Sequence, residues 1–407
     1  MPEKLDINKL RADFPILSRQ VHGRPLVYLD SGATAQKPGS VIQRMDEVYR
    51  TVNANVHRAV HFLSEQCTEQ YEAAREQVRS FINASSREEI VFTSGATAAI
   101  NTVAYSFAER YIRKGDNVIV TEMEHHSNIV PWQLVCGRAG AELRVIPVDD
   151  GRLMDEKLAE LMDDRTRIVA VTGGSNVLGT KPDLAKIIAA AHAQNVPVLV
   201  DGCQGIVHGG VDVQKLDCDF YAFSGHKLYG PTGTGVLYGK RRWLEELPPF
   251  MGGGDMVGTV TFEKTTWAEL PLKFEAGTAN FVGAIGMGEA IRYVRALDAA
   301  AIEAHETALL TRATEGLLNL PGVRIYGTQP GKCSIVSFRA EGTHPLDIGM
   351  ILDKLGIAIR TGTHCAEPLM TRYGVEGMCR ASLAMYNTEE EIDIFVAGVE
   401  RALKMLR

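Results

Sequence analysis

Ser224-Gly225-His226-Lys227-Leu228-Tyr229-Gly230-Pro231 crowds a hydroxyl, an imidazole and a primary amine onto a glycine-bounded turn, directly after the apolar run Phe220–Phe223. Lysine is the side chain that condenses with carbonyl compounds to a Schiff base. Ser224 and His226 can hold an anionic group while Lys227 reaches an aldehyde. A solvated loop lysine fits poorly with apolar flanks on this scale.

Other apolar runs also end in polar residues. Thr93-Ser94-Gly95-Ala96-Thr97 leads into a helical pattern. Small residues, free N–H groups and the helix dipole suit a phosphate there, although a plain Ser/Thr cap reads the same way. Thr121 to Asn128 carries the pair His125-His126. Adjacent histidines do not easily face one metal, whereas a flat imidazole can stack on an aromatic ligand or simply be a satisfied core histidine. In Thr172 to Gly179, Asn176 is either a ligand donor or an ordinary turn residue. In Asp201-Gly202-Cys203-Gln204 a carboxylate closes an otherwise apolar strand, which is costly without a partner. That partner can be a helix cap, a salt bridge, or a protonated pyridine nitrogen whose pKa it would raise by about 1–3 units. A phosphate cup, a stacking histidine, an acid for a ring nitrogen and a Schiff-base lysine are together what pyridoxal 5′-phosphate (PLP) needs.

These residues must be placed by alternating elements. Strand-like runs are Glu89–Phe92, Asn117–Val120, Leu143–Val148, Ile168–Val171, Val196–Val200 and Phe220–Phe223. Helical patterns between them include Ala98–Arg113, Ile129–Ala139 and Asp183–Gln194. The alternation predicts an α/β fold with a mainly parallel sheet covered on both faces, and ligands beyond the carboxyl ends of its strands. Gly252–Thr278 is Gly-rich and reads as surface loops. After it come helices at Ala284–Leu297 and Ala301–Leu320, a strand at Ser334–Phe338, a helix at Leu346–Leu355, strands at Ile357–Arg360 and Cys379–Met385, and a last helix at Glu390–Leu406. The expected organisation is an N-terminal segment 1–25, a large domain 26–280 and a smaller α+β C-terminal domain 281–407.

The chain has 407 residues, 45% hydrophobic and 23% charged, with a formal net charge of −7. Those values fit a soluble globular protein and disfavour binding to a phosphate backbone. No run approaches a membrane span, the first residues lack a signal-peptide core, and a cytoplasmic protein is expected. Seven cysteines without a CxxC argue against a disulfide framework or a zinc site, so no metal is expected and most cysteines should be small buried hydrophobes.

The segments YLDSGATAQKP, NVHRAVH, MEHHSNIVPW, SNVLGT, CDFYAFSGHKLYGPTG, FEAGT, RTGTHCAEPLM and CRASLAMYN run through essentially the whole chain. In them the chain resembles the fold-type I, class V PLP enzymes of the cysteine desulfurase group, most of all the SufS-type (group II) members. The resemblance implies a seven-stranded, mainly parallel sheet and a homodimer with shared active sites. It implies that Lys227 carries PLP, Asp201 pairs with the ring nitrogen, His125 stacks on the ring and assists catalysis, and Gln204 meets the phenolic oxygen. The resemblance further implies that Ala96, Thr97, Ser224 and His226 form the phosphate site and that Thr278 reaches the phosphate of the partner subunit. Asn176 and Arg380 would hold the substrate carboxylate, with Arg360 and His364 beside them. Cys365 matches the catalytic cysteine. Its Gly- and Thr-bearing loop lies next to His364 and Arg360, positive neighbours that favour a thiolate.

The implied reaction converts L-cysteine to L-alanine and leaves a persulfide on Cys365. An acceptor of the SufE or SufU type would pass the sulfur on to iron–sulfur cluster assembly. The family pattern is broken at Thr363, where a second histidine is common, and at Gly173-Gly174, Ala98 and Ala279. Selenocysteine lyase and cysteine-sulfinate desulfinase use the same PLP site and depend less on Cys365. A class V aminotransferase or kynureninase-like hydrolase leaves RTGTHCAEPLM unexplained. An idle scaffold would be expected to have lost Lys227, Asp201 or Cys365, and all three are present.

Overall fold

The computed structural model describes residues 6–407. After a short helix at Ile7–Ala12, two longer helices precede the main sheet, α1 (Gly39–Thr51) and α2 (Phe62–Phe81). The sheet strands are β1 (Ile90–Thr93), β2 (Asn117–Thr121), β3 (Glu142–Ile146), β4 (Thr166–Thr172), β5 (Val198–Asp201), β6 (Phe220–Ser224) and β7 (Gly235–Gly239), in the spatial order β1-β7-β6-β5-β4-β2-β3. Neighbours from β6 to β3 pair in parallel, and β7 alone runs antiparallel to both of its neighbours. The helices α3 (Ala96–Tyr111), α4 (Val130–Ala139) and α5 (Leu184–His192) follow β1, β2 and β4.

Both faces of the sheet are dry. Along β4, Ile168 and Ala170 join one apolar core with Trp132, Phe107 and Phe220, while Val169 and Val171 join another with Ile187 and Phe223. This period-two division is that of a strand buried on both sides. β7, with glycine at both ends, is absent from the strand-like runs picked out in the sequence. A Cβ on Gly235 would stand 2.5 Å from the Gly95 Cα, so glycine there lets the loop after β1 lie directly against the sheet.

The second unit is a sheet of β8 (Val323–Tyr326), β9 (Ile335–Ala340), β10 (Arg360–Gly362) and β11 (Met378–Ser382), in the order β8-β9-β11-β10. It packs with α7 (Ala299–Leu318), α8 (Pro345–Lys354) and α10 (Glu389–Leu406) around Leu309, Phe338, Leu352 and Phe395. α6 (Phe281–Arg295) precedes it, and α9 (Glu367–Tyr373) follows β10. The single strand expected at Ile357–Arg360 is two pieces. Ile357–Ala358 pairs in parallel with Val27–Tyr28, and the chain then changes partner so that Arg360–Gly362 pairs with β11. Gly252–Thr278 contains a short hairpin, Val257–Val260 against Thr265–Trp267. No described helix is long and apolar enough to cross a membrane.

Candidate active site

Thr172, Asp201 and Ser224 close β4, β5 and β6, and the parallel register sets Asp201 beside Thr172 and Ala222. A cavity of about 210 Å³ opens beyond these carboxyl ends. It brings together the expected residues Ala96, Thr97, His125, Asn176, Asp201, Ser224, His226, Lys227, Arg360, His364, Cys365 and Arg380. Gln204 and Thr278 lie outside its lining. Gln204 is buried behind Lys227, where its Nε2 donates to the Gly32 carbonyl at 3.1 Å. Thr278 lines a separate cavity of about 280 Å³ with Thr93, Ser94 and Gly233.

One end of the main cavity is the start of α3. Gly95 has φ 149°, and the Ala96 N–H donates to Ser224 Oγ at 2.8 Å, tying the cup to the end of β6. The exposed Thr97 stands in the first turn, where the dipole favours an anion. His226 borders the same space, and burial with the Lys227 and Lys37 charges lowers its pKa to about 4.

The middle is built on Asp201, 3% exposed. Its Oδ1 accepts from the Cys203 N–H at 3.1 Å, and the Ser127 hydroxyl lies 3.4 Å from Oδ2. Ser127 also faces His125: its N–H donates to His125 Nδ1 at 3.1 Å and its Oγ is 2.9 Å from the same atom. An Nδ1 that accepts from an amide leaves the proton of the neutral ring on Nε2. Burial, then the Lys227 charge, lowers the His125 pKa to about 4. Behind this layer, buried Glu124 accepts from Thr121 Oγ1 (2.5 Å), Asn128 Nδ2 (2.8 Å) and the Thr172 N–H (2.8 Å), clamping the ends of β2 and β4 together. Burial outweighs those donors and raises its pKa to about 8.

The far end is cationic. Arg380, 2% exposed, donates from Nη1 to the Asn176 carbonyl at 2.9 Å and from Nη2 to Asp30 Oδ1 at 3.1 Å. Arg360 meets the same carboxylate through Nε and Nη2, the latter at 3.0 Å from Oδ2. Asn176 Nδ2 donates to the His364 carbonyl at 2.7 Å. His364 Nε2 lies 3.1 Å from the Met378 carbonyl, an acceptor, which puts the ring proton on Nε2. Buried Arg380 Nε, Asn176 Oδ1 and His364 Nδ1 have no hydrogen-bond partner among the described residues. Buried polar atoms are nearly always paired, so this cluster suits a polar ligand that supplies both acceptors and donors.

Cys365 lines the same cavity, on a tight turn. The Ala366 N–H donates to the Thr363 carbonyl at 3.0 Å, and both central residues have positive φ, 55° for His364 and 56° for Cys365. Cys365 is exposed and the other six cysteines are buried. Cys379 is packed at 0% exposure, and burial pushes the Cys203 thiol up to about 12. One expectation is corrected. His364 is not a positive neighbour of Cys365, because burial and the Arg380 charge lower its pKa to about 3. The cations at the turn are Arg360 and Arg380.

Sequence reasoning gave no role to Asp30, Ser127, Glu124 or the pair that anchors the Thr278 segment. There Arg75 is fully buried and grips Glu275 through Nη1–Oε1 (2.6 Å) and Nη2–Oε2 (3.0 Å), while Glu275 also accepts from the Phe92 N–H at 2.7 Å. Asp30 lay in plain view inside YLDSGATAQKP. Arg75 carried no such signal, being one of several charged residues on α2.

Residues 27–395 match the family model described as aminotransferase class-V. A cysteine desulfurase of Escherichia coli O9:H4 (strain HS) is 53% identical over 402 residues, covering 98% of this chain and 99% of that protein. One from Salmonella agona (strain SL483) is 54% identical over the same span. Among solved structures, an Escherichia coli cysteine desulfurase with an S-sulfonic acid superposes with TM-score 0.93 at 43% identity, covering 100% of both chains. The apo cysteine desulfurase of Thermococcus onnurineus NA1 gives TM-score 0.93 at 37% identity, also covering 100% of both. The fold therefore has full-length counterparts, and the chain belongs to the class-V aminotransferase family as a member of its cysteine desulfurases.

Proposed function

We propose that the chain is a PLP-dependent desulfurase of L-cysteine in which Cys365 receives the sulfur. The observation that carries this reading is the position of Cys365, the exposed cysteine of the seven, on the cavity that also holds Lys227, Asp201 and Arg380. The residues fit PLP. The α3 start with Ala96, Thr97, Ser224 and His226 takes the phosphate, Asp201 the protonated ring nitrogen, His125 the ring face, and Lys227 the aldehyde. Gln204, behind Lys227, serves the phenolic oxygen from the second layer. When bound, PLP supplies a carbonyl for the substrate amine and an electron sink for its Cα–H bond.

The protein residues divide the remaining work. Arg380 Nε and the second hydrogen of Asn176 Nδ2 are the donors for the substrate carboxylate, with Arg360 at the mouth and the neutral His364 beside it. Lys227, with its amine free, would take the α-proton of the substrate as a general base. The Cys365 thiolate attacks the substrate sulfur, the carbon–sulfur bond breaks, and the carbon keeps the electron pair and a proton. L-cysteine and the Cys365 thiol thus become L-alanine and a Cys365 persulfide, with no external oxidant.

The rest of the reading follows from this role. Residues 26–280 form the large domain and 281–407 the small one that carries Cys365. The enzyme works as a homodimer in the cytoplasm, Thr278 of each subunit serving its partner's phosphate site. A SufE- or SufU-type acceptor removes the persulfide sulfur for iron–sulfur cluster assembly. Mass spectrometry of the Cys365 peptide after L-cysteine, without reductant, tests the core claim. An added sulfur on Cys365 is expected, and an unmodified Cys365 with alanine still formed overturns it.

A further inference from the structure

Besides the Asn176 bond to the His364 carbonyl, the turn that carries Cys365 is held by residues that do not line the cavity. The His126 N–H donates to the Cys365 carbonyl at 2.9 Å. The His126 ring, 35% exposed, places Nε2 against Glu367 Oε2 and 3.3 Å from the Glu367 N–H. Glu367 Oε1 accepts from Thr363 Oγ1 at 2.8 Å. Contacts from His126 and Glu367 therefore close a ring around the turn Thr363–Ala366, with Cys365 at its tip.

That turn needs holding. Left-handed backbone is unfavourable for a non-glycine residue, and here two consecutive residues adopt it. Glu367 is largely exposed, and pairs of that kind contribute little to global stability. Their effect is local: they choose the conformation of a strained turn. The imidazole suits that work, since Nε2 donates to the carboxylate when it bears a proton and accepts from the Glu367 amide when it does not.

We propose that His126 and Glu367, with Thr363, form a clasp that positions Cys365 for sulfur transfer. They are positioning residues: they act through the turn and touch neither substrate nor cofactor. The proposal rests on Cys365 as the sulfur acceptor. It predicts that kcat falls more than KM rises, because Arg380 keeps anchors outside the turn, the Asn176 carbonyl and Asp30.

The test uses holoenzyme carrying Glu367→Ala, His126→Ala and the milder Glu367→Gln, in which Thr363 keeps its acceptor. Amide hydrogen exchange across residues 122–130 and 360–370 is expected to speed up about five- to tenfold in the alanine variants, with the β4 and β5 amides unchanged. The kcat falls by a similar factor, KM for L-cysteine stays within about twofold, and Glu367→Gln recovers most of both readouts. Wild-type exchange and kcat in both alanine variants overturn the clasp, as does a rise in KM matching the fall in kcat. The desulfurase reading fails by a different assay, sulfide release by Cys365→Ala.

Discussion

Asp30, partly exposed, pairs with the buried Arg380 at one end of the cavity, Oδ1 to Nη2 at 3.1 Å, and the same carboxylate also takes Arg360. Removing the partner of a buried charge strands it at a cost of up to roughly 3–5 kcal/mol. Asp30→Ala should therefore lower the melting temperature by several degrees. A ligand carboxylate offsets part of that loss, so L-alanine should raise the melting temperature of the variant more than that of wild type. Thermal melts with and without L-alanine check this, and equal shifts in the two proteins contradict it.

Stability should decline on the acid side through histidines held neutral. Burial lowers His364 from 6.5 to about 3, and His125 and His226 from 6.5 to about 4. A depressed histidine pKa means that the unfolded chain takes up the proton first. The contribution is complete above about pH 6.5 and is lost as pH falls toward the folded values. Melting curves from about pH 7 to about pH 4 should drop less steeply for His364→Gln than for wild type. Parallel curves would show that His364 is not held neutral.

The positive φ of Cys365 separates backbone strain from thiol chemistry. Cys365→Ala and Cys365→Gly both lose the thiol, but only glycine adopts φ 56° without a Cβ penalty. The glycine variant should be the more stable by about 1 kcal/mol, measured by denaturant midpoints. The opposite order would mean that the turn is not strained as described.

Thr278 lies outside the cavity of its own Lys227, which makes the shared-site arrangement testable in mixed dimers. Co-expressed Lys227→Ala and Thr278→Ala subunits leave one site with both native residues if Thr278 acts across the interface. The purified heterodimer should then bind PLP at that site with wild-type affinity, while the Thr278→Ala homodimer binds about tenfold more weakly. Weak binding at the Lys227-bearing site of the heterodimer would place Thr278 in its own subunit's site.

Much of the site was legible because a parallel sheet turns local order into spatial convergence. Five of the six apolar runs led into chemistry-bearing residues, and the sheet gathered Asp201, Ser224 and Lys227 at the carboxyl ends of neighbouring strands. Cys365 and Arg380 come from the other unit, and only the resemblance attached them to those strand ends. Asp30 escaped because its partner Arg380 is 350 positions away, a distance no periodicity bridges. β7 escaped because a short run with glycine at both ends stands out as a strand only once β6 and β1 supply its partners. The charge of His364 was misread for a related reason: a sequence shows a histidine beside a cysteine, but not the burial that keeps its ring neutral.

The central claim is that Cys365 takes sulfur from L-cysteine, and the direct measurement compares wild type with Cys365→Ala, supplied with L-cysteine and a thiol reductant. Alanine, sulfide and the cofactor absorbance are followed together. Wild type should release alanine and sulfide in equal amounts, while the variant still perturbs the cofactor absorbance on adding L-cysteine and releases no sulfide. Undiminished sulfide release by Cys365→Ala would contradict the account and assign the sulfur step to a different group.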